Sequence, residues 1–120
     1  MDNKLAGNMV MQLFHSRTIA HVLHLKTKSY AEHKALEDYY DGIIDAADSF
    51  AEAYQGAHGV IEFGKVDCSL DDNAIGMLTK LRAWIDNNRK SISGRNEIQN
   101  LIDSIVDLID STLYKLKFLS

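Results

Sequence analysis

The sequence predicts an all-α fold, a four-helix bundle formed as one domain over residues 1–120, with a longer crossover between its second and third helices. Three observations predict it. Proline is absent from all 120 residues, and proline is the residue that removes a backbone donor and clashes with the preceding helical turn. Apolar residues recur near every 3.6 positions in four separate stretches. Between those stretches stand serines and glycines of the kind that start and stop helices.

The first helix is expected over about residues 3–27, with Leu5, Met9, Leu13, Ile19, Ala20 and Leu23 as its broad apolar face. Lys26, Thr27 and Lys28 then break the pattern. The second begins at Ser29, where serine followed three residues later by Glu32 makes a capping box. It runs to about Gln55, with Gly56 or Gly59 as the stop. Residues 59–66 alternate briefly, but glycines bracket the stretch and no partner strand is evident, so it reads as a structured crossover loop. The third helix is expected to start at Ser69 as its cap, with Asp71 and Asp72 favouring the positive helix end. Ile75, Leu78, Leu81 and Ile85, with Trp84, give its inner face as far as about Lys90. After a short break at Ser91–Gly94 the fourth helix, about 96–118, carries the cleanest stripe, from Ile98 through Ile102, Ile105 and Ile109 to Leu116.

Composition narrows the function. A formal charge of −4 argues against a general nucleic-acid binder, which needs a basic face or tail. No stretch supplies the roughly 18 apolar residues of a membrane span, and Asn8, Gln12, His15, Ser16 and Arg17 interrupt the first 25 residues too often for a signal peptide. The single cysteine, Cys68, makes neither an internal disulfide nor a cysteine-rich zinc site, which fits a reducing, cytoplasmic setting. No base is identifiable beside Cys68 for nucleophilic catalysis, and glycine-rich phosphate loops are absent.

All five histidines (His15, His21, His24, His33 and His58) lie in the first half of the chain. The aspartates of the fourth helix, Asp103, Asp107 and Asp110, fall opposite its apolar stripe and read as a solvated face. No Glu-x-x-His occurs anywhere, which excludes the di-iron centre that a single bundle builds from two such motifs. What remains is His24 at the end of the first helix, and His33, Glu37, Asp48 and Glu52 along the second. His33 and Glu37 are four apart and share a face; Asp48 and Glu52 repeat the relation. The two pairs are separated by about 22 Å at 1.5 Å per residue, so one chain cannot close them around one ion. Two copies of the second helix, antiparallel about a two-fold axis, would bring them together twice. Against this stands the plainer reading, in which such a histidine is a hydrogen-bonded or surface residue.

The run His24-Leu25-Lys26-Thr27-Lys28-Ser29-Tyr30-Ala31-Glu32-His33-Lys34-Ala35-Leu36-Glu37, continued by Asp48-Ser49-Phe50-Ala51-Glu52, resembles the ferroxidase segment of the DNA-protecting miniferritins (Dps) of the ferritin-like superfamily. The likeness covers roughly residues 15–56. It implies a ferritin-like bundle with a di-iron site between two-fold-related subunits, His24, His33 and Glu37 coming from one and Asp48 and Glu52 from its partner. It also implies a homo-oligomer, at least a dimer, that oxidises Fe(II) with peroxide or dioxygen. The chain looks like a trimmed, phage-encoded relative, which would place it in the cytoplasm of a bacterial host. His21, one turn before His24, is an extra ligand or, more simply, a hydrogen-bonded bundle histidine; His15 and His58 are assigned to the surface. Tyr30, Tyr39, Tyr40 and Tyr54 crowd the second helix, as packing residues or as radical sinks beside iron. The competing reading is a non-catalytic oligomeric bundle, a phage structural or accessory protein that keeps the fold without turnover.

Overall fold

Short polar side chains open three of the helices. Asp2 accepts the amides of Lys4 and Leu5, Ser29 that of Glu32, and Asn73 that of Gly76, each satisfying donors that have no partner in a first helical turn. In the computed structural model, which describes residues 2–65 and 67–119, these caps begin α1 (Asn3–Lys26), α2 (Tyr30–His58) and α3 (Ala74–Ile92). The fourth helix, α4 (Asn96–Phe118), follows Arg95, which has the extended backbone of a cap but no capping hydrogen bond. No strand occurs among the described residues.

Each helix packs against two neighbours in the ring order α1, α2, α4, α3, and the backbones of the diagonal pairs α1–α4 and α2–α3 do not approach closely among the described residues. Residues 27–29 and 93–95 make tight corners, whereas the longer stretch from Gly59 to Asn73 separates α2 from α3. Lys115 reaches Asp38, and a Cβ on Gly42 would touch Leu108, so α4 runs antiparallel to α2. At its 29 residues α2 is about 43 Å long, matching the longest dimension of the molecule, 43 Å.

The apolar stripes converge on one core. Met9, Leu13, Leu36, Tyr39, Ile43, Phe50, Leu78, Ile85, Ile102 and Ile109 are fully buried within it. Ser16 is buried too, and its hydroxyl donates to the Leu13 carbonyl. With that proton committed, Tyr39 donates its own hydroxyl to Ser16 Oγ at 2.7 Å, so the core holds a tyrosine without an orphaned polar atom. Across the rim, Arg82 clasps Asp110, and Arg89 reaches Asp103 and the Gln99 side chain. The aspartate row of α4 is therefore partly engaged with α3 rather than wholly solvated.

Two expected boundaries shift, and one expected cap forms only in part. Ser69 does not cap α3: its amide and hydroxyl both donate to Asp67 Oδ1, and Asp71 takes the amide of Asn73, so two successive side-chain turns delay the helix to Ala74. The second helix passes through Gly56, which is helical and open on its bare face, and stops at Gly59, whose φ of 98° is accessible chiefly to glycine. Only half of the capping box at Ser29 forms, because Thr27 Oγ1, not Glu32, accepts the Ser29 amide. The stretch after Gly59 pairs with no strand among the described residues; Val66 of the proposed crossover loop lies outside them. Ile61 is buried, and the Glu62 amide donates to the Asn3 carbonyl, which seats this connection on the first turns of α1. No described helix is long and apolar enough to cross a membrane.

Candidate metal centre

The corner at residues 27–29 is what assembles the histidines. It is tight enough to lay the last turn of α1 against the first turn of α2, so His24 and His33 meet although nine residues apart. His24 Nδ1 donates to the His33 carbonyl at 2.7 Å, and His33 Nδ1 donates to the His24 carbonyl at 2.8 Å. A carbonyl only accepts, so each hydrogen bond places the proton on Nδ1 and leaves the Nε2 lone pair outward in the neutral ring. The rings stack with centroids 3.6 Å apart and planes 20° from parallel.

Glu37, one turn after His33, turns its carboxylate toward this pair. Its Oε1 stands 4.0 Å from His24 Nε2, while Oε2 accepts from Lys34 at 2.8 Å. The hydrogen bond and charge of Lys34 hold the Glu37 carboxyl below the ordinary glutamate range, with smaller help from His24 and His33 against desolvation. The carboxylate is therefore ionised and able to bind a cation near neutral pH. His24 is buried and Glu37 about one-third exposed, giving a site with a rigid inner wall and an open outer side. Tyr40 stands edge-on to His24 and stacks on His21 at 4.3 Å, closing the cluster toward α1. Burial, followed by the charges of Glu37 and Asp41, raises the Tyr40 pKa.

His24, His33 and Glu37 offer ligand atoms that lie within 4.8 Å of one another. The donor set fits a first-row transition metal. Ligating histidines normally donate their second ring nitrogen to a carbonyl or carboxylate, as both do here. In the neutral ring, His24 Nε2 and Glu37 Oε1 are both acceptors and cannot bond each other; a cation about 2.0–2.1 Å from the nitrogen and about 2.0–2.2 Å from the oxygen would span up to about 4.3 Å and satisfy both.

Asp48 and Glu52 lie farther along α2, exposed and outside this cluster. They fall on the stripe that also carries Glu37, since 11 and 15 residues bring a helix close to whole turns. His21 contacts the cluster through its ring, not as one of the three grouped ligands. His15 and His58 are half-buried and not free surface residues: one bonds the Ser69 carbonyl, the other the Ser93 hydroxyl. Sequence reasoning missed Lys34, although its place three residues before Glu37 marks the pair. It also missed the reciprocal ring-to-carbonyl bonds, which depend on the path of the corner and leave no trace in residue spacing.

A family model described as a family of unknown function (DUF5856) matches residues 24–116, a span that holds all five candidate ligands. No curated protein and no solved structure matches the chain.

Proposed function

The chain belongs to the DUF5856 family, and we propose that it is a small ferritin-like protein that binds iron at a di-iron, ferroxidase-type site between two-fold-related subunits. Fe(II) is then the substrate, oxidised by peroxide or dioxygen. The observation that carries this reading is the pair of stacked imidazoles, both pinned through Nδ1 and both presenting Nε2 beside an ionised carboxylate. Lone pairs lie in the ring planes, and planes 20° apart at a 3.6 Å stacking distance do not converge on one ion without a ring turning. Two ions side by side suit them better, and carboxylate-bridged metal pairs sit roughly 3.5–4 Å apart. Nitrogen and carboxylate ligands together suit iron, with geometry rather than affinity guarding against other metals.

One chain supplies three ligands, too few for two ions. An antiparallel α2 pair supplies the rest. The register that sets His33 opposite the partner copy's equivalent of Glu52 also sets Glu37 opposite the equivalent of Asp48, because both pairs are centred between residues 42 and 43. Exposure of Asp48 and Glu52 leaves them available for that pairing. A ferritin-like bundle would need a long connection between two helices whose backbones do not approach closely, and α2 and α3 meet that requirement, which supports the reading.

Anaerobic titration with ferrous salt, followed by exposure to peroxide, tests the proposal. The expected result is saturation near two irons per site, an absorbance rise on oxidation, and loss of both in Glu52→Ala. Absence of saturable ferrous binding sinks it. A second reading draws on the same hydrogen bonds: the two rings already staple α1 to α2 without an ion, as a non-catalytic phage structural or accessory bundle would require. That reading predicts a dimer and a thermal midpoint unchanged by chelator.

A further inference from the structure

The second helix carries an unbalanced charge. Seven of the 17 acidic residues of the chain stand on α2, against Lys34 as its one lysine and no arginine. His33, Glu37, Asp41, Ile44, Asp48 and Glu52 follow at steps of four, four, three, four and four, so they form one stripe. That stripe lies opposite the buried one, which runs through Leu36, Tyr39, Ile43 and Phe50. Asp41, Asp48 and Glu52 are exposed on it, and Ile44 is half-buried. Lys34 is spent on Glu37. Asp41, Asp48 and Glu52 have no cation within ion-pair distance among the described residues.

In the register that the shared iron site requires, every member of the stripe meets another member of it. His33 faces the partner copy's equivalent of Glu52, Glu37 that of Asp48, and Asp41 that of Ile44, because each pair is centred between residues 42 and 43. The like-charge contact of Glu37 with the equivalent of Asp48 therefore occurs on both sides of the two-fold axis, with Asp41 close by on each copy. Against this repulsion the stripe sets one apolar side chain per copy, Ile44. The bare faces repel. Two Fe(II) ions bring four positive charges to the three carboxylates of each site, Glu37, Asp48 and Glu52, and Asp41 stands beside them. Imidazoles ligate in the neutral form and add no charge.

We propose that iron is the switch for assembly: the chain is a monomer while the site is empty, and Fe(II) draws two copies together through the α2 stripe. This switch rests on the shared-site reading and goes beyond it, since ligands from two subunits leave open whether the dimer or the loaded site forms first. An ion held first by His24, His33 and Glu37 of one copy cancels the Glu37 charge. It then attracts the partner copy's equivalents of Asp48 and Glu52, so loading and association proceed together.

Sedimentation velocity under anaerobic conditions, over a series of chain concentrations, tests this with Fe(II) itself as the probe. A monomer in chelator and a dimer with Fe(II) are expected. The dimer dissociation constant should fall by about a hundredfold, roughly tenfold for each Glu37–Asp48 contact relieved. Mg(II) at the same concentration should leave the monomer, because imidazole ligands suit iron and not magnesium. Equal dimerisation by Mg(II) would reduce the effect to charge screening and overturns iron as the switch. The double variant Asp48→Asn with Glu52→Gln removes charge at nearly constant shape. It should dimerise about tenfold more tightly than the parent in chelator and gain nothing from Fe(II), with circular dichroism reporting intact helices. If it stays as weak as the parent in chelator, charge is not what holds the copies apart and the proposal falls. A parent dimer in chelator that Fe(II) does not tighten also overturns it. Anaerobic Fe(II) titration then separates the two claims: saturable binding keeps the shared-site reading without the switch, and its absence ends both.

Discussion

At the scale of single residues, close packing and buried polarity make the firmest expectations. A Cβ on Gly7 would stand 2.0 Å from the Glu62 carbonyl oxygen, a backbone atom that cannot swing aside. Gly7→Ala should therefore lower stability by about 1–3 kcal/mol despite the better helix propensity of alanine, read as a lower urea midpoint. Tyr39 makes a second case. Burial raises its pKa far above the ordinary tyrosine value, opposed only by its bond to Ser16. A phenol whose folded pKa is raised contributes stability that is complete below the ordinary value, near 10, and is lost as pH rises beyond it. The native protein should lose stability on going from about pH 9 to pH 12, and Tyr39→Phe should flatten that fall while costing about 1 kcal/mol at neutral pH. Denaturant midpoints across this range provide the check. The candidate ligands show how far single positions could be read from spacing. His33 and Glu37 were visible as helical neighbours, whereas the contact of His24 with both depends on three corner residues whose backbone path no periodicity encodes.

At the scale of elements, the apolar stripes and caps made the helices legible, with α4 recognisable to its ends because its isoleucines and leucines recur without interruption. The start of α3 was not, because serine and aspartate serve equally well as caps and as side-chain turns. Ser69 met Asp67 two residues before it and was drawn into a turn; Asn73 had a free amide ahead of it and became the cap. The α4 start is the weak one. Arg95 already has a cap's extended backbone, φ −83° and ψ 133°, but no side-chain acceptor for the first amides. Arg95→Ser should raise stability by about 0.5–1 kcal/mol, since the ion pair given up with Glu97 is exposed and contributes little. Thermal unfolding of the two proteins compares them directly.

At the scale of the whole molecule, the bundle leaves one long face of α2 uncovered, with His33 and Glu37 toward one end and Asp48 and Glu52 toward the other. Ile44 is half-buried near the middle of that face, close to where a two-fold axis would pass. Ile44→Arg should convert a dimer to monomer in native mass spectrometry while leaving the circular dichroism of the helices unchanged. It should abolish oxidation of ferrous iron without touching any candidate ligand. The second chain that the proposed site calls for is inferred from the 22 Å between the two ligand pairs. The reciprocal histidine bonds have a dynamic consequence as well. They are the fastening of the α1–α2 corner, so opening that corner and dispersing the ligands are one event. An ion bound there closes the corner by mass action, worth about 2.7 kcal/mol when free metal is a hundredfold above its dissociation constant. Amide hydrogen exchange should then slow first and most in the last turn of α1 and the first turn of α2, making the corner a local clock for metal occupancy that runs without any turnover.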